Sequence, residues 1–92
     1  MIIRRHAWVF GRVQGVGFRY STEAEARRIG GLQGWVCNLP DGSVEVVVQG
    51  ETDQVSALMA FLAQGPPSAR IDRVEIVEET PQADLQNFLQ KR

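Results

Sequence analysis

The segment from Gly11 to Arg19 reads GRVQGVGFR and combines a glycine-rich backbone with a permanent positive charge. Successive N–H groups of a glycine-rich turn can converge on one anion, and a helix that begins directly afterwards adds unpaired N–H groups and the positive end of its dipole. Arg19 could then donate two parallel hydrogen bonds to phosphate oxygens. The pattern therefore indicates a phosphate cradle, although the same glycines would also serve a tight strand-to-helix turn that binds nothing.

Other glycine-rich motifs fit this loop poorly. A nucleotide-binding P-loop ends in Gly-Lys-Ser/Thr, whereas this loop ends in Gly-Phe-Arg. A dinucleotide fingerprint has a different glycine spacing and needs a longer parallel sheet. The letters GVGFRY are distantly similar to the aromatic RNA-binding strand of an RRM, but here the glycines fall in the loop after the first strand.

Composition bounds the class of protein. The chain has 92 residues, of which 43% are hydrophobic, and this predicts a single domain spanning residues 1–92 with its own core. Its 10 basic and 11 acidic residues argue against a general nucleic-acid binder. The single cysteine, Cys37, excludes an internal disulfide and a Cys-cluster metal site. No secretory or membrane-spanning segment is recognisable, so we expect a soluble cytoplasmic protein.

Hydrophobic periodicity and turn residues predict alternating strands and helices. In chain order these are a strand near Arg5–Val13, a helix starting after Arg19 and stopping at Gly30–Gly31, a strand over residues 32–38, an LPDG turn with Gly42 at positive φ, a strand over residues 43–50, a helix over residues 52–64 and a strand over residues 71–79. The tail from Leu85 to Leu89 could add a short strand. Thr22 and Glu25 suggest a capping box for the first helix, and Thr52 suggests an N-cap for the second.

The predicted order is β-α-β-β-α-β. Right-handed crossovers then give an α+β ferredoxin-like sandwich, in which a four-stranded antiparallel sheet carries both helices on one face. Because this fold serves many functions, function has to be argued from the site.

The loop and a second segment, GWVCNLPDGSVEV from Gly34 to Val46, together resemble the acylphosphatases, small ferredoxin-like enzymes that hydrolyse the carboxyl–phosphate bond of acyl phosphates. The family loop, G-x-V-Q-G-V-x-F-R, is matched throughout. The second family signature, G-x-V-x-N followed by a D-G turn and a strand, is matched by Gly34, Val36, Asn38, Asp41 and Gly42. The later SARIDRVE is also similar, whereas the ending, NFLQKR, departs from the family's usual F-x-I pattern.

The resemblance implies a role for particular residues. Arg19 would bind the phosphate and Asn38 would orient the attacking water. The backbone of the loop would complete the cradle with Gln14, Gly15, Val16, Gly17 and Phe18. It also implies a monomer with no cofactor and no metal, whose partners are a small acyl phosphate and inorganic phosphate rather than nucleic acid or a membrane.

The remaining candidate residues have simpler interpretations. We expect His6 to be an edge or surface histidine, and Cys37 to be a small core residue on the sheet face opposite Asn38. Glu23 and Arg27 are spaced as a solvated helical pair, and Trp8 and Trp35 as packing residues. An asparagine at a turn entry also commonly caps local backbone. Two other functions stay open from the sequence, a non-catalytic phosphate-binding module and an RNA-binding ferredoxin-like domain.

Overall fold

A computed structural model describes residues 1–83 and 86–91 of the chain. The elements in chain order are β1 (Ile2–Arg12), α1 (Phe18–Ile29), β2 (Gln33–Asn38), β3 (Val44–Glu51), α2 (Thr52–Gln64), β4 (Arg70–Glu79) and β5 (Leu89–Gln90). The strands form one sheet in the order β4-β1-β3-β2-β5. The predicted α+β ferredoxin-like fold is confirmed.

The fifth strand corrects the predicted sheet. The first four strands pair antiparallel as expected, but β5 runs parallel to β2, with Trp35 opposite Leu89 and Val36 opposite Gln90. Within residues 1–83 and 86–91 the sheet is therefore five-stranded and mixed. The physical reason is that the chain leaves β4 at one edge of the sheet and crosses to the opposite edge, where it runs in the direction of β2. Leu85, the predicted start of this strand, lies outside the described residues.

The hydrophobic core lies between the helices and one face of the sheet. Alternate residues of β1 and β3 point to this face, and Ala7, Val9, Val44, Val46 and Val48 are buried there. One face of α1 points to this core, since Phe18, Thr22 and Ala26 are buried and Ile29 packs against the core. The buried residues of α2 are Val55, Leu58, Met59 and Leu62.

The N-termini of both helices differ from the sequence prediction. Gly17, in the left-handed conformation, precedes α1, and Thr22 lies inside the helix, where its hydroxyl donates to the Phe18 carbonyl at 2.8 Å. A threonine hydroxyl can bond a preceding carbonyl as readily as a following N–H group, so the capping-box prediction was wrong. Glu51 rather than Thr52 is the N-cap of α2, because β3 runs directly into that helix.

Candidate active site

The ends of β1 and β2 meet at one edge of the sheet. Both strands are antiparallel to β3, so they run in the same direction, and the loop after β1 lies near the end of β2. A pocket of about 140 Å³ opens there. It is lined by Val13, Gly15, Gly17, Phe18, Arg19, Tyr20, Asn38 and Gln90. The fold thus brings Asn38, which is distant in the chain, to Arg19 and to three of the predicted loop residues.

The loop backbone has the conformation that an anion cradle requires. Gly15 and Gly17 have φ of 75° and 79°, in the left-handed region that side-chain-bearing residues rarely adopt. A Cβ atom at either position would meet nothing within 4 Å, so conformation and not space calls for glycine. Among the described residues, no acceptor pairs with the backbone N–H groups of residues 15 to 19. These donors, at the start of α1, are available to an anion in the pocket.

Two of the predicted loop residues make hydrogen bonds that tie the loop to its surroundings. The Gln14 amide donates to the carbonyls of Leu39 and Ser43, at 2.7 and 2.9 Å. The Val16 carbonyl accepts a hydrogen bond from the Ser68 hydroxyl at 2.9 Å. Neither Gln14 nor Val16 lines the pocket. The Gln14 side chain therefore links the loop to the β2–β3 turn.

Asn38, the last residue of β2, has an unpaired acceptor. Its Oδ1 atom is buried and has no hydrogen-bond partner among the described residues. The adjacent turn is instead held by Asp41, whose carboxylate accepts from the Ser43 N–H at 2.9 Å and from the Ser43 hydroxyl. These bonds lower the pKa of Asp41. Because buried acceptors in proteins are nearly always paired, the free carbonyl of Asn38 points to a water or ligand in the pocket.

The C-terminal segment forms one side of the site. Gln90 lines the pocket, and the Lys91 carbonyl accepts a hydrogen bond of 2.7 Å from Arg19 Nη1. The Lys91 N–H donates in turn to the Val36 carbonyl at 2.7 Å. Sequence reasoning missed Gln90 and Lys91, as well as Tyr20. No local motif signals the C-terminal pair, since their place depends on the parallel pairing of β5 with β2.

The sequence suggested that His6 is an edge or surface histidine. In the structure it lies on an interior strand and is half-buried. It is on β1, between β4 and β3, on the face away from the helices. Its Nε2 atom is 2.6 Å from Glu45 Oε2, its Nδ1 atom is 2.8 Å from Glu79 Oε2, and its ring stacks on Trp8 with centroids 4.0 Å apart. The edge prediction was wrong because β1 has a partner strand on each side, and the surface prediction holds in part, because the face is uncovered by helices but the side chain is only 17% exposed. His6 does not line the pocket.

Cys37 lies on the sheet face opposite Asn38, as alternation predicts, but it is not a core residue. It shares the face of His6 and is only half-buried, with Sγ 3.7 Å from Glu45 Oε1. Burial, and then the Glu45 carboxylate, raise the pKa of this thiol. The helices cover only the other face, which is why the core prediction failed. Cys37 is thus a poor nucleophile and lies outside the pocket.

The helical pair and the tryptophans also have defined surroundings. Glu23 and Arg27 are paired at 3.6 Å as predicted, but the Glu23 side chain is only 15% exposed and is therefore not solvated. The reason is that β5 lies against it. Trp8 and Trp35 pack around His6, in keeping with the packing prediction, and neither lines the pocket.

The Glu79 carboxylate, which lies on the sheet face away from the helices, should make the stability of the fold depend on pH in the acid range. Hydrogen bonds from Arg4 and then His6 lower the pKa of Glu79 from its ordinary value of 4.5. A carboxylate with a lowered folded-state pKa stabilises the fold above its unfolded pKa, and this stabilisation is lost as the pH falls through the folded value. We expect Glu79→Gln to destabilise the protein by about 1 kcal/mol at neutral pH. This is the usual contribution of a hydrogen bond to a charged group, reduced because the carboxylate is partly exposed to solvent. In urea unfolding, the difference in the free energy of unfolding between wild type and Glu79→Gln should shrink below pH 4.5.

A matched control is available on the same strand. Glu75 forms an exposed pair with Arg73 at 2.9 Å, and Glu75→Gln should change the free energy of unfolding little at any pH. A difference between wild type and Glu79→Gln that stays constant from pH 7 to pH 3 would contradict the linkage.

Comparison with known proteins gives the family. A sequence model of the acylphosphatase family matches residues 5–89. The chain belongs to the acylphosphatase family. It is 52% identical to an acylphosphatase of Thermococcus kodakarensis over 94% of this chain and 92% of that one. It is 54% identical to an acylphosphatase of Pseudomonas paraeruginosa over 95% of this chain and 93% of that one.

The solved structures agree with this assignment. The crystal structure of acylphosphatase from Bacillus subtilis superposes with a TM-score of 0.91 and 30% identity, covering 100% of both chains. The acylphosphatase family and the enzyme class predicted from the two motifs are therefore confirmed. Within the described residues, no helix is long and apolar enough to cross a membrane. The same part of the chain has no group of three or more His, Cys, Asp or Glu residues arranged to hold a metal ion.

Proposed function

We propose that this chain hydrolyses acyl phosphates to a carboxylate and inorganic phosphate in the pocket at the ends of β1 and β2, without a metal ion. Membership of the acylphosphatase family supports the reaction. The observation that supports the site assignment is the pocket itself, which is lined by Arg19, by loop residues with unpaired N–H groups and by Asn38, whose side-chain carbonyl is unpaired.

The chemistry of the substrate explains why so few side chains are needed. The leaving group is a carboxylate, whose conjugate acid has a pKa of about 4, so it departs without a general acid. Phosphoryl transfer passes through a loose transition state, and catalysis rests mainly on positioning and charge stabilisation. In this proposal the guanidinium of Arg19 and the loop N–H groups bind the phosphoryl oxygens.

The second part of the proposal concerns the attacking water. The Asn38 carbonyl accepts a hydrogen bond from this water and aims its lone pair at phosphorus. As the new P–O bond forms, the bond from phosphorus to the bridging oxygen breaks, and its electron pair leaves with the carboxylate. The proton of the water passes to a phosphoryl oxygen of the substrate. The described pocket supports this assignment because none of its lining side chains is a histidine or a carboxylate that could act as the base.

The reaction is tested by measuring release of phosphate from benzoyl phosphate by the purified protein with EDTA present. Phenyl phosphate, a monoester with a much poorer leaving group, serves as the control substrate. We expect rapid hydrolysis of benzoyl phosphate alone. Loss of activity on EDTA treatment, with recovery on adding a divalent cation, would refute the metal-independent mechanism.

A non-catalytic phosphate-binding module is the second candidate, because the same cradle would bind phosphate without turnover. Binding of inorganic phosphate with no hydrolysis of benzoyl phosphate would favour it. The RNA-binding alternative has less support. Trp8 and Trp35 lie on β1 and β2, which β3 separates, and the carboxylates of Glu45 and Glu79 share their face of the sheet.

We further propose that the chain acts as one domain, as a monomer in the cytoplasm. The length of 92 residues supports a single domain, and the single cysteine, which can form no internal disulfide, fits the reducing cytoplasm. Sedimentation equilibrium at micromolar concentration checks the oligomeric state.

A further inference from the structure

Glu23 makes contacts that neither helix formation nor the proposed reaction requires. It lies on α1, and its side chain is 15% exposed. One carboxylate oxygen accepts a hydrogen bond from the backbone N–H of Gln90 at 3.0 Å, and the other accepts from the Gln90 side-chain amide at 3.2 Å. Both oxygens thus bind one residue that is 67 positions away in the chain.

Gln90 belongs to a strand with little pairing of its own. β5 has 2 residues, both paired with β2. A strand this short contributes few hydrogen bonds, so its position depends on additional contacts. The bonds from Glu23 are contacts of this kind, and they hold Gln90 where it lines the pocket.

The residue after Gln90 holds the arginine of the site. The Lys91 carbonyl accepts the hydrogen bond from Arg19 Nη1, at 2.7 Å. Arg19 and Glu23 are four positions apart on α1 and therefore lie on the same side of the helix. The helix therefore contacts two consecutive residues near the C-terminus, Gln90 through Glu23 and Lys91 through Arg19.

We propose that Glu23 is a positioning residue for Arg19. By holding Gln90, it fixes the Lys91 carbonyl, and this carbonyl orients the guanidinium toward the pocket. An arginine side chain has many rotamers in solution, so a fixed acceptor on one nitrogen leaves the others preorganised for phosphate oxygens. The inference rests on the proposed function, in which Arg19 binds the phosphoryl group.

A purely helical role for Glu23 accounts less well for these contacts. Its other partner, Arg27, is 3.6 Å away and 71% exposed, and exposed ion pairs of this kind stabilise helices little. If the Arg27 pair were the purpose of Glu23, the carboxylate would not need to be buried against β5.

The test compares Glu23→Ala with Glu23→Gln, which keeps one carbonyl acceptor. Glu25→Ala and Arg27→Ala are the controls, since Glu25 pairs with exposed Arg28 on the same helix and Arg27→Ala removes only the ion pair. The measurements are kcat/KM for benzoyl phosphate and the Kd for inorganic phosphate, well below each variant's Tm. We expect Glu23→Ala to lower kcat/KM about 10- to 100-fold, the scale of a misplacement near 1 Å, and to raise the Kd.

We expect Glu23→Gln to fall between wild type and Glu23→Ala, and the two controls to stay within about twofold of wild type. A double-mutant cycle adds a second readout. Glu23 and Gln90 take part in one contact. The double variant Glu23→Ala, Gln90→Ala should therefore show a smaller fold-loss of kcat/KM than the product of the two single fold-losses. A merely structural role for Glu23 would lower Tm without moving the phosphate Kd.

Several outcomes would overturn the inference. A folded Glu23→Ala with wild-type kcat/KM and wild-type phosphate Kd would do so, as would an equal loss in Arg27→Ala. If Glu23→Ala does not fold, wild-type values for Glu23→Gln combined with an additive cycle of Glu23→Gln and Gln90→Ala would overturn it. If the wild-type protein binds phosphate but does not hydrolyse benzoyl phosphate, the proposed function is refuted. The positioning role of Glu23 is then tested by the phosphate Kd values of the variants. Absence of both activities refutes both proposals.

Discussion

Arg19→Ala is expected to lower kcat/KM for benzoyl phosphate by about 10³-fold or more, the scale seen when an arginine that stabilises a phosphoryl-transfer transition state is removed. Arg19 lines the pocket together with residues of the loop, and its Nη1 atom donates a hydrogen bond to the Lys91 carbonyl. Alanine removes its charge and its paired donors together, so binding of inorganic phosphate should weaken as well. Steady-state kinetics and calorimetric titration with phosphate check both effects.

Two further variants sharpen the Arg19 result. Arg19→Lys keeps the charge but loses the fork of donors, so it should recover only part of the activity. Arg28→Ala is the matched control, because Arg28 is an arginine of the same helix whose partner is Glu25 and whose side chain is 70% exposed. Arg28→Ala should keep wild-type kcat/KM. A loss of less than tenfold in Arg19→Ala would contradict the role assigned to the guanidinium.

Asn38→Ala is expected to lower kcat by about 10²-fold, the cost of removing one hydrogen-bonding group that acts on the reacting atoms. Phosphate binding should change little, because in the proposed mechanism the amide contacts the water and not the phosphoryl oxygens. The buried, unpaired Oδ1 atom of Asn38 is the physical basis of this expectation. The two measurements are kcat for benzoyl phosphate and the inhibition constant of inorganic phosphate.

The neighbour of Asn38 on β2 is its control. Cys37 lies on the opposite sheet face, and its raised thiol pKa makes it a poor nucleophile, so Cys37→Ala should keep kcat within about twofold. An inactive but folded Cys37→Ala would point to covalent catalysis instead. Asn38→Ala with wild-type kcat would refute the water-orienting role, whereas weakened phosphate binding with unchanged kcat would make Asn38 a phosphate ligand.

The sequence by itself determined the parts of this protein that depend on local pattern. The Val, Trp and Phe residues of β1 and β3 favour strands, and the apolar residues three and four apart in α2 favour a helix with one face toward the core. The conformation of the loop is likewise a local property. The left-handed backbone at Gly15 and Gly17 and the arginine that follows, Arg19, are encoded within a few residues.

Only the tertiary structure decided which distant groups meet. Arg19 and Lys91 are 72 positions apart, Glu23 and Gln90 are 67 apart, and His6 and Glu79 are 73 apart. None of these pairs has a local signal, since each depends on where β1 and β5 sit in the sheet. Strand order and direction are set by the burial of the whole sheet against the helices, and that arrangement places His6 on an interior strand, Gln90 at the pocket and Lys91 beside Arg19.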